Sequence, residues 1–389
     1  MKINNPVAFV NYSLSGGGAE RNVINISNYL ITHQQPIDIL LFKPINDYER
    51  EYRNSPVGKH IIPIFKSKEK IPTLLLPFFL CKLLLDLSTI IRKKKYRLLI
   101  APQEYVPYYV VIILSKLFRI KNLLIVSNNI EEILLSKKVF PRLVHTALFW
   151  LSFILSNKIV CISHGLKKSL VRVFSIDPNK VSVIHTGIDN SLIKKMLKKC
   201  PPKYSRLLGG RPVIASAGRL VPQKGFDYLI CAFSSVIKIF PNVKLVIIGQ
   251  GPQKEELKAL VAKLKLSRSI IFPGFIRPYC LLKEADIFVL SSLYEGFGNV
   301  LIEAMRCGVP IISVDCPYGP SEILEGGKWG ILVPQANTRK ELLADGMIRL
   351  LENKPLLKKY GELSLRRVKT FTLDIMGRNY LQVIRSMIK

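Results

Sequence analysis

Short apolar runs rich in valine and isoleucine alternate along this chain with longer stretches of helical periodicity. Runs of this kind are typical of parallel strands that are buried on both faces, with helices crossing between them. In the first half the pattern predicts strands at Pro6–Asn11, Ile37–Phe42, Arg97–Ala101, Asn122–Ser127, Lys158–Ile162 and Val181–Ile184. In the second half it predicts strands at Val213–Ala217, Lys244–Ile248, Ile270–Phe272, Ile287–Leu290, Pro310–Ser313 and Gly330–Val333. The alternation predicts an α/β fold.

A polar segment with lysines, prolines and glycines separates the two sets of strands, between Asn190 and Arg211. This composition is typical of a linker. We therefore expect an N-terminal domain over residues 1–205 and a C-terminal domain over residues 206–370, each with its own doubly wound, Rossmann-like sheet. Two such domains facing each other form a cleft, and open α/β sheets bind ligands in the loops at the carboxyl ends of their strands.

Composition narrows the class of protein. The 389 residues are 49% hydrophobic, which suffices for two cores and excludes a disordered chain or a small disulfide scaffold. Lysine and arginine number 58 against 27 aspartates and glutamates, a formal net charge of +31 that attracts polyanions or an anionic membrane. A nucleic-acid-binding protein is the weaker alternative, because the sequence has no recognition module and no basic strip interleaved with aromatic residues.

The cysteines and the N-terminus indicate the compartment. Seven cysteines without Cys-x-x-Cys spacing or a His/Cys cluster argue for a reducing compartment and against a zinc site. The chain starts with a polar segment, Met1 to Asn5, and the apolar run that follows is only strand-length, so no signal peptide is expected. We therefore expect a cytoplasmic protein.

Two apolar stretches bear on membrane binding. The stretch from Ile71 to Ile91 is interrupted by Lys82 and Asp86 and followed by a basic run that includes Lys93 to Lys95, which disfavours a spanning helix. A helix lying in the headgroup plane beside anionic lipid and a core helix with a solvated basic end both fit this stretch. The stretch from Leu143 to Ser156 is too short to cross a bilayer and predicts an interior helix.

Two loops after predicted strands carry groups that suit an anion. Gly16, Gly17 and Gly18 follow the first strand and open a helix whose N–H groups could meet an anion, although a simple tight turn explains them about as well. Arg219 and Lys224 follow the first strand of the second half, where a guanidinium and an ammonium group could bind a pyrophosphate. Two exposed loop charges are the plainer alternative.

A third loop combines acidic residues with open backbone. Glu295 follows the strand predicted at Ile287–Leu290, Gly296 and Gly298 leave backbone amides accessible, and a helix then begins that carries Glu303. Amides and a helix start favour negative oxygens, whereas carboxylates accept hydrogen bonds from hydroxyls. The pattern fits a ligand with both phosphate and polyol groups, which is a nucleotide sugar. A helix cap and a solvated face are the alternative roles for the two glutamates.

Together these residues resemble the retaining glycosyltransferases of family 4, which have the two-domain GT-B fold. The resemblance spans nearly the whole chain and keeps the order of the family's motifs. It is carried by the glycine loop Gly16–Glu20, by His185–Asp189, Gly218–Leu220, Gln223–Gly225, Ile248–Pro252 and Phe272–Phe275, and by Glu295 followed by Glu303.

The resemblance implies a role for each matched residue. Arg219 and Lys224 would hold the donor pyrophosphate. Glu295 would bond the hydroxyls of the transferred sugar, which makes these three the expected catalytic residues. Glu303 would bond the ribose. The expected donor-binding set is Gly16, Gly17, Gly18, Arg219, Lys224, Phe275, Ile276, Glu295, Gly296, Phe297, Gly298, Asn299, Val300 and Glu303, with the backbone at Phe275 and Ile276 meeting the base.

The resemblance also implies a substrate class. The segment from Asp315 to Leu324 resembles a loop of bacterial surface-polysaccharide members, which implies a UDP-linked hexose or N-acetylhexosamine as donor and a lipid-linked saccharide as acceptor. No Asp-x-Asp motif occurs, so we expect no divalent metal and no cofactor besides the donor. Such an enzyme would work at the inner face of the cytoplasmic membrane, and residues 371–389 would pack back on the first domain.

One position departs from the family pattern. Many relatives place a histidine near the transferred sugar, after the strand predicted at Asn122–Ser127, where this chain has Asn128 and Asn129. An asparagine hydrogen-bonds a hydroxyl but accepts no proton, so general-base help from this position is in doubt. A sugar-nucleotide 2-epimerase with the same architecture is the alternative chemistry, although the two cations and two glutamates at this spacing favour transfer.

Overall fold

The computed structural model describes residues 6–14, 17–43, 55–65, 76–135, 139–198, 200–201 and 212–389. The chain divides into two compact units, of which the first comprises Met1–Gly187 with Leu373–Lys389 and the second comprises Ile188–Thr372. This division comes earlier than the boundary expected near residue 205. The reason is that the Ile188 N–H already donates to the carbonyl oxygen of Phe371, inside the second unit.

The first unit is built on a seven-stranded sheet in which every neighbouring pair of strands is parallel. Its strands are β1 Val7–Asn11, β2 Ile37–Leu41, β3 Ile61–Pro63, β4 Leu98–Ala101, β5 Lys121–Val126, β6 Lys158–Cys161 and β7 Val181–Val183. They lie in the order β3-β2-β1-β4-β5-β6-β7. Every residue of β1, β2 and β4 is buried, as expected of strands covered on both faces.

The second unit holds a six-stranded sheet that is also parallel throughout. Its strands are β8 Val213–Ala217, β9 Lys244–Ile248, β10 Ile270–Ile271, β11 Ile287–Leu290, β12 Ile311–Asp315 and β13 Ile331–Pro334. They lie in the order β10-β9-β8-β11-β12-β13. The Asp286 carboxylate accepts a hydrogen bond from the Val213 N–H at 2.8 Å, so this residue at the entry to β11 joins two central strands.

Helices connect the strands of both sheets. In the first part of the chain they are α1 Gly18–Thr32, α2 Leu76–Lys94, α3 Val106–Phe118, α4 Ile130–Leu135, α5 Val139–Leu155, α6 His164–Phe174 and α7 Asn190–Leu197. The remainder are α8 Phe226–Ile239, α9 Lys254–Lys263, α10 Tyr279–Lys283, α11 Asn299–Arg306, α12 Pro320–Leu324, α13 Arg339–Glu352, α14 Lys354–Arg367 and α15 Leu373–Ile388. Strands followed by crossover helices in both units make this a pair of Rossmann-like, doubly wound α/β domains, as predicted.

The C-terminal helix α15 packs against α1 in the first unit. Gly377 makes this contact close, because a Cβ atom at this position would lie 2.2 Å from Cγ of the Tyr29 ring. The Tyr29 hydroxyl also hydrogen-bonds Asp374 at 3.3 Å. The last residues of the chain thus complete the layer of helices that α1 begins.

All of the predicted strands are present, with ends that differ by at most two residues. Among the strands of the described residues, β3 alone was not predicted, because three residues that end in a proline are too few to show a pattern. The described part of the stretch Ile71–Ile91 forms α2, in which Leu83, Leu87 and Ile91 are buried. Arg92 to Lys95 are exposed, so the description as a core helix with a solvated basic end fits α2 better.

Two further findings change the picture given by the sequence. The prediction of an interior helix at Leu143–Ser156 is wrong, because one side of α5 is exposed along its length. Cys200 and Cys280 form a disulfide. The count of seven cysteines did not predict this pair, because 80 residues separate the two cysteines and the packing of α7 on α10 brings them together. Within the described ranges, no helix has both the length and the apolar character needed to cross a membrane.

Candidate functional site

The strand order of the second sheet reverses between β8 and β11. Doubly wound sheets bind ligands beside the carboxyl ends of the strands at such a switch point. The loop after β8 carries Arg219 and Lys224, and the loop after β11 carries Glu295. The expected cationic and acidic residues therefore follow adjacent strands at the edge of the sheet where a ligand is expected.

Lys224 and Glu295 form an ion pair in these loops. The Lys224 Nζ atom lies 2.6 Å from Glu295 Oε1, and the Ser292 hydroxyl donates to the same oxygen, also at 2.6 Å. The exposed fraction is 17% for the lysine side chain and 7% for the glutamate side chain. Because both hydrogen bonds end on Oε1, the Oε2 atom can accept from a ligand hydroxyl, and the ammonium group keeps two further donors.

Backbone contacts fix the turn that carries Lys224. The Gln223 side-chain amide donates to the carbonyl oxygen of Tyr294 at 2.9 Å, and the Leu293 N–H donates to the carbonyl oxygen of Gln223 at 2.7 Å. Gly225 has φ +57°, and a Cβ atom there would lie 2.4 Å from the carbonyl oxygen of Ser291. Only glycine fits this close approach, so the turn is held firmly against the loop after β11.

The loop after β12 holds the backbone of Glu295. The Glu295 N–H donates to the carbonyl oxygen of Pro317 at 2.6 Å. At Gly319, where φ is +97°, a Cβ atom would lie 2.1 Å from the carbonyl oxygen of Phe297.

Burial, reinforced by the charge of Glu295, raises the pKa of the Cys316 thiol well above its usual range. This thiol therefore stays protonated at neutral pH and is no nucleophile.

Helix α11 starts where the loop after β11 ends. Gly298 precedes it in the left-handed conformation, and no side chain of the described residues caps its first turn. The Leu301 N–H already donates to the carbonyl oxygen of Gly298 at 2.9 Å, so the N–H groups of Asn299 and Val300 are the ones that an anion could meet. In the described part of the chain, the buried Oδ1 atom of Asn299 has no hydrogen-bond partner. Farther along the helix, Glu303 is 9% exposed and accepts a hydrogen bond from the Tyr279 hydroxyl at 3.1 Å.

The remaining expected donor contacts lie at the same edge of this sheet. Arg219 is exposed two residues beyond the end of β8. Phe275 is exposed and Ile276 is half-buried in the loop after β10. The structure thus brings Lys224 and Glu295 into direct contact and places the other residues at neighbouring strand ends. The supporting roles of Ser292, Gln223 and Tyr279 were not predicted, although a serine two residues beyond a buried strand at a switch point could have been noticed.

The glycine loop of the first unit lies at a corresponding switch point, between β1 and β4. Gly17 precedes α1, Gly18 is its first residue, and Gly16 lies outside the described residues. A Cβ atom on Gly17 would lie 2.1 Å from Glu20 Oε2, and the Gln103 amide donates to Glu20 Oε1 at 3.0 Å. Because a carboxylate already lies beside this helix start, the loop favours a ligand hydroxyl over the anion expected from the glycines.

A buried carboxylate after β4 was not recognised in the sequence. Glu104, which is 7% exposed, accepts hydrogen bonds from the backbone N–H groups of Ser127 and Asn128 at 2.7 and 2.9 Å. Its other oxygen accepts from the Asn128 side-chain amide at 2.7 Å. Glu104 therefore fixes the loop after β5. Its position three residues beyond a switch-point strand is the signal that could have revealed it.

Both halves of the chain match glycosyltransferase families. Residues 16–192 match Glycosyltransferase Family 4, and residues 203–366 match Glycosyl transferases group 1. The chain is 31% identical to an uncharacterized glycosyltransferase of Methanocaldococcus jannaschii over 89% of its own length and 93% of that protein. The chain belongs to glycosyltransferase family 4.

Other family relatives and solved structures agree with this assignment. The N-acetylgalactosamine-N,N'-diacetylbacillosaminyl-diphospho-undecaprenol 4-alpha-N-acetylgalactosaminyltransferase of Campylobacter jejuni is 28% identical, over 96% of this chain and 97% of that enzyme. The structure of Anabaena HepE with UDP and glucose has a TM-score of 0.79 at 18% identity, covering 98% of this chain and all of HepE. The structural likeness establishes the GT-B fold.

In this family 4 chain the two asparagines after β5 have different roles. Asn129 is buried, and its Oδ1 atom accepts from the Glu132 N–H at 3.3 Å at the start of α4. Asn128 is exposed, and Glu104 holds the nitrogen of its amide. Asn128 is therefore the residue whose side-chain oxygen can meet a ligand, as a hydrogen-bond acceptor and not as a base.

Proposed function

We propose that this family 4 glycosyltransferase moves a hexose or N-acetylhexosamine from a UDP-linked donor to a hydroxyl of a lipid-linked saccharide, with retention of the anomeric configuration and without a divalent metal. The observation that carries the proposal is the ion pair of Lys224 and Glu295 at the switch point of the second sheet. The cation suits a diphosphate, and the carboxylate beside it suits the hydroxyls of the attached sugar.

The donor would lie along the carboxyl edge of the second sheet. Its diphosphate would meet Lys224, Arg219 and the N–H groups at the start of α11, and its ribose would meet Glu303. The base would lie beside the backbone at Phe275 and Ile276. A UDP donor is supported by HepE, which is described in complexes with UDP and with UDP-glucose, and by a pneumococcal O-GlcNAc transferase described with UDP and GlcNAc.

The acceptor class is supported by the named relatives. The Campylobacter enzyme's name specifies a diphospho-undecaprenol-linked sugar as its acceptor. An exopolysaccharide phosphotransferase of Streptomyces coelicolor, 33% identical over 56% of this chain and 24% of that protein, supports only the broader class of surface glycans. We extend this to the present chain as a lipid-linked saccharide in surface-glycan assembly, used at the cytoplasmic face of a membrane.

The residues act mainly on the leaving group. The bond between the sugar C1 atom and the diphosphate oxygen breaks, the acceptor oxygen bonds to C1 on the same face, and the acceptor proton passes to the leaving phosphate. Negative charge grows on the diphosphate in the transition state, so the fixed charges of Lys224 and Arg219 lower the barrier. Asn128 would orient a hydroxyl without taking its proton, and Glu295 would hold the sugar through Oε2.

The test is transfer from a panel of nucleotide sugars to undecaprenyl-diphosphate-linked saccharides, with and without EDTA, followed by NMR of the product. We expect a UDP-sugar to be used, the donor's anomeric configuration to be kept and the rate in EDTA to be unchanged. An inverted product, an epimerised nucleotide sugar formed without acceptor, or a loss in EDTA that Mg²⁺ restores would each contradict the proposal.

A further inference from the structure

The outer side of α5 is an exposed apolar surface. Leu143, Ala147, Trp150 and Ile154 follow one another at spacings of four, three and four residues and form one stripe along this helix. Every residue of α5 in the exposed class is apolar, including Phe140, which is 77% exposed. Soluble proteins seldom leave a continuous apolar surface of this length without a partner. We name the exposed residues of α5 the α5 face.

The inner side of α5 fixes which way this face points. Phe149 and Phe153 are fully buried, and the Phe149 ring packs against the rings of Tyr105 and Tyr108. Rotating the helix to bury the α5 face would expose these aromatic side chains, at a cost of about 1.5–3 kcal/mol for each ring. The α5 face is therefore held outward by the packing of the first unit.

Basic residues adjoin the α5 face. The Lys180 Nζ atom donates to the carbonyl oxygens of Phe153 and Ile154, both at 2.7 Å, at the end of α5. Helix α3, which carries Lys116, packs against α5. Burial, and then the charge of Lys116, lower the pKa of Lys180. Lys116 is itself exposed between the exposed residues Ile113 and Leu117.

The two helices of this surface carry no compensating negative charge. Neither α3 nor α5 contains an aspartate or a glutamate, and Arg142 is the one charged residue of α5. An apolar helix face with a basic border matches the interface of an anionic bilayer, where side chains enter the acyl boundary and lysines meet headgroups. A second copy of the chain fits less well, because it would bring the same cations and another net charge of +31 to the contact.

We propose that the α5 face, with Ile113 and Leu117 of α3, is the surface by which the enzyme docks on an anionic lipid leaflet, with α5 lying in the headgroup plane. Docking there would bring the loop that holds Asn128 close to a leaflet that carries a lipid-linked acceptor, and this part rests on the proposed function. Tyr105, the neighbour of Glu104, packs against His145 on the inner side of α5 with ring centroids 5.4 Å apart. The helix on the leaflet thus contacts the loop that holds Asn128.

Trp150 provides a direct test, because the chain has only two tryptophans and Trp329→Phe leaves Trp150 as the sole reporter. With vesicles of equimolar phosphatidylcholine and phosphatidylglycerol, we expect a blue shift of the emission and quenching by lipids brominated on their acyl chains. Pure phosphatidylcholine should bind the protein more weakly, and added salt should weaken binding to the anionic vesicles. Emission that is unchanged by anionic vesicles would overturn the proposal.

Substitution locates the surface. In the Trp329→Phe background, Phe140→Gln with Leu143→Gln should weaken vesicle co-sedimentation about tenfold or more, because two inserting side chains are lost. The control is Ile239→Gln, which changes an apolar residue of the second unit that is 53% exposed and should leave binding unchanged. If the double variant binds vesicles as well as the Trp329→Phe parent does, another surface binds the membrane and the proposal is overturned. If the parent self-associates without lipid and the double variant does not, the α5 face binds a second copy and the proposal is also overturned.

The same variants separate docking from catalysis. Transfer to a short-chain acceptor in solution needs no membrane, so the double variant should retain it, while transfer to acceptors embedded in vesicles should fall with binding. If vesicle binding behaves as expected but no sugar is transferred by any form of the protein, the proposed function fails and the docking surface stands. If soluble transfer is intact and the α5 variants bind vesicles normally, the docking proposal alone fails.

Discussion

At the scale of single residues, two buried carboxylates are stabilised in opposite ways. Glu104 is surrounded by N–H and hydroxyl donors of one loop, whereas Glu295 is paired with the ammonium group of Lys224. A carboxylate satisfied by backbone N–H groups is a fixed part of the structure. A carboxylate paired with a lysine through one oxygen keeps its other oxygen for a ligand hydroxyl, and the ammonium group keeps further donors for a ligand anion. Glu104 therefore has the contacts of a positioning residue, and Glu295 has those of the residue that we propose touches substrate.

Glu104→Gln tests this positioning role. An amide cannot accept from both the backbone and the side chain of Asn128, so we expect the free energy of unfolding to fall by about 1–3 kcal/mol. We also expect the acceptor KM to rise while the donor KM stays unchanged, because the substitution affects the loop of Asn128. Steady-state kinetics with each substrate varied in turn measures this split.

The control is Glu255→Gln, which removes an equal charge at an exposed position of α9. It should leave both KM values and the stability unchanged. A Glu104→Gln enzyme with unaltered acceptor kinetics would show that the loop after β5 takes no part in acceptor binding.

At the scale of elements, the apolar runs were sufficient to predict the strands and insufficient to predict how each helix is exposed. A strand buried on both faces is apolar throughout, so β8, β9 and β11 are recognised to the residue. Helix α5 is also apolar nearly all round, and periodicity does not distinguish a side that faces the core from a side that is exposed. Its inner side became evident only from the aromatic rings packed against it.

The packing of α15 on α1 gives a prediction at this scale. Gly377→Ala places a methyl group where the Tyr29 ring lies, so we expect a lower unfolding midpoint, with a loss of about 1–3 kcal/mol. Gly346→Ala is the matched control, because a Cβ atom in the middle of α13 would make only ordinary contacts, the nearest at 3.4 Å. This second change should stabilise the helix by up to about 1 kcal/mol.

Thermal and urea unfolding of the two variants measures the difference. If Gly377→Ala unfolds at the same midpoint as the unsubstituted chain, α15 does not pack closely on α1.

At the scale of the whole molecule, the sequence was enough for the fold class and for the loops that carry the candidate site. Arg219, Lys224, Glu295 and Glu303 are recognisable because charged residues directly after buried strands, or on the helix that follows, have few structural reasons to be there. The roles of Gln223 and Tyr279 are not recognisable in this way, because they depend on contacts with residues that are distant in sequence, Tyr294 and Glu303. Ser292 bonds Glu295 within one loop, so its role could have been noticed from the sequence. The net charge of +31 predicts an anionic partner without locating its contact surface, and the exposed α5 face is the surface that we propose for it.

The central claim is that Lys224 and Glu295 act on the donor and do not merely stabilise the fold. Removing one member of a buried ion pair leaves an unpaired charge, so Lys224→Met and Glu295→Gln should each destabilise the protein by about 3–5 kcal/mol. Removing both leaves no unpaired charge, so the double variant should regain much of that stability.

The kcat of the double variant, measured beside its unfolding midpoint, therefore tests the claim most directly. We predict that stability returns toward that of the unsubstituted enzyme while kcat stays about 100-fold or more below it, because the transition-state contacts to the diphosphate and the sugar are gone. A double variant that recovers its activity together with its stability would contradict the account.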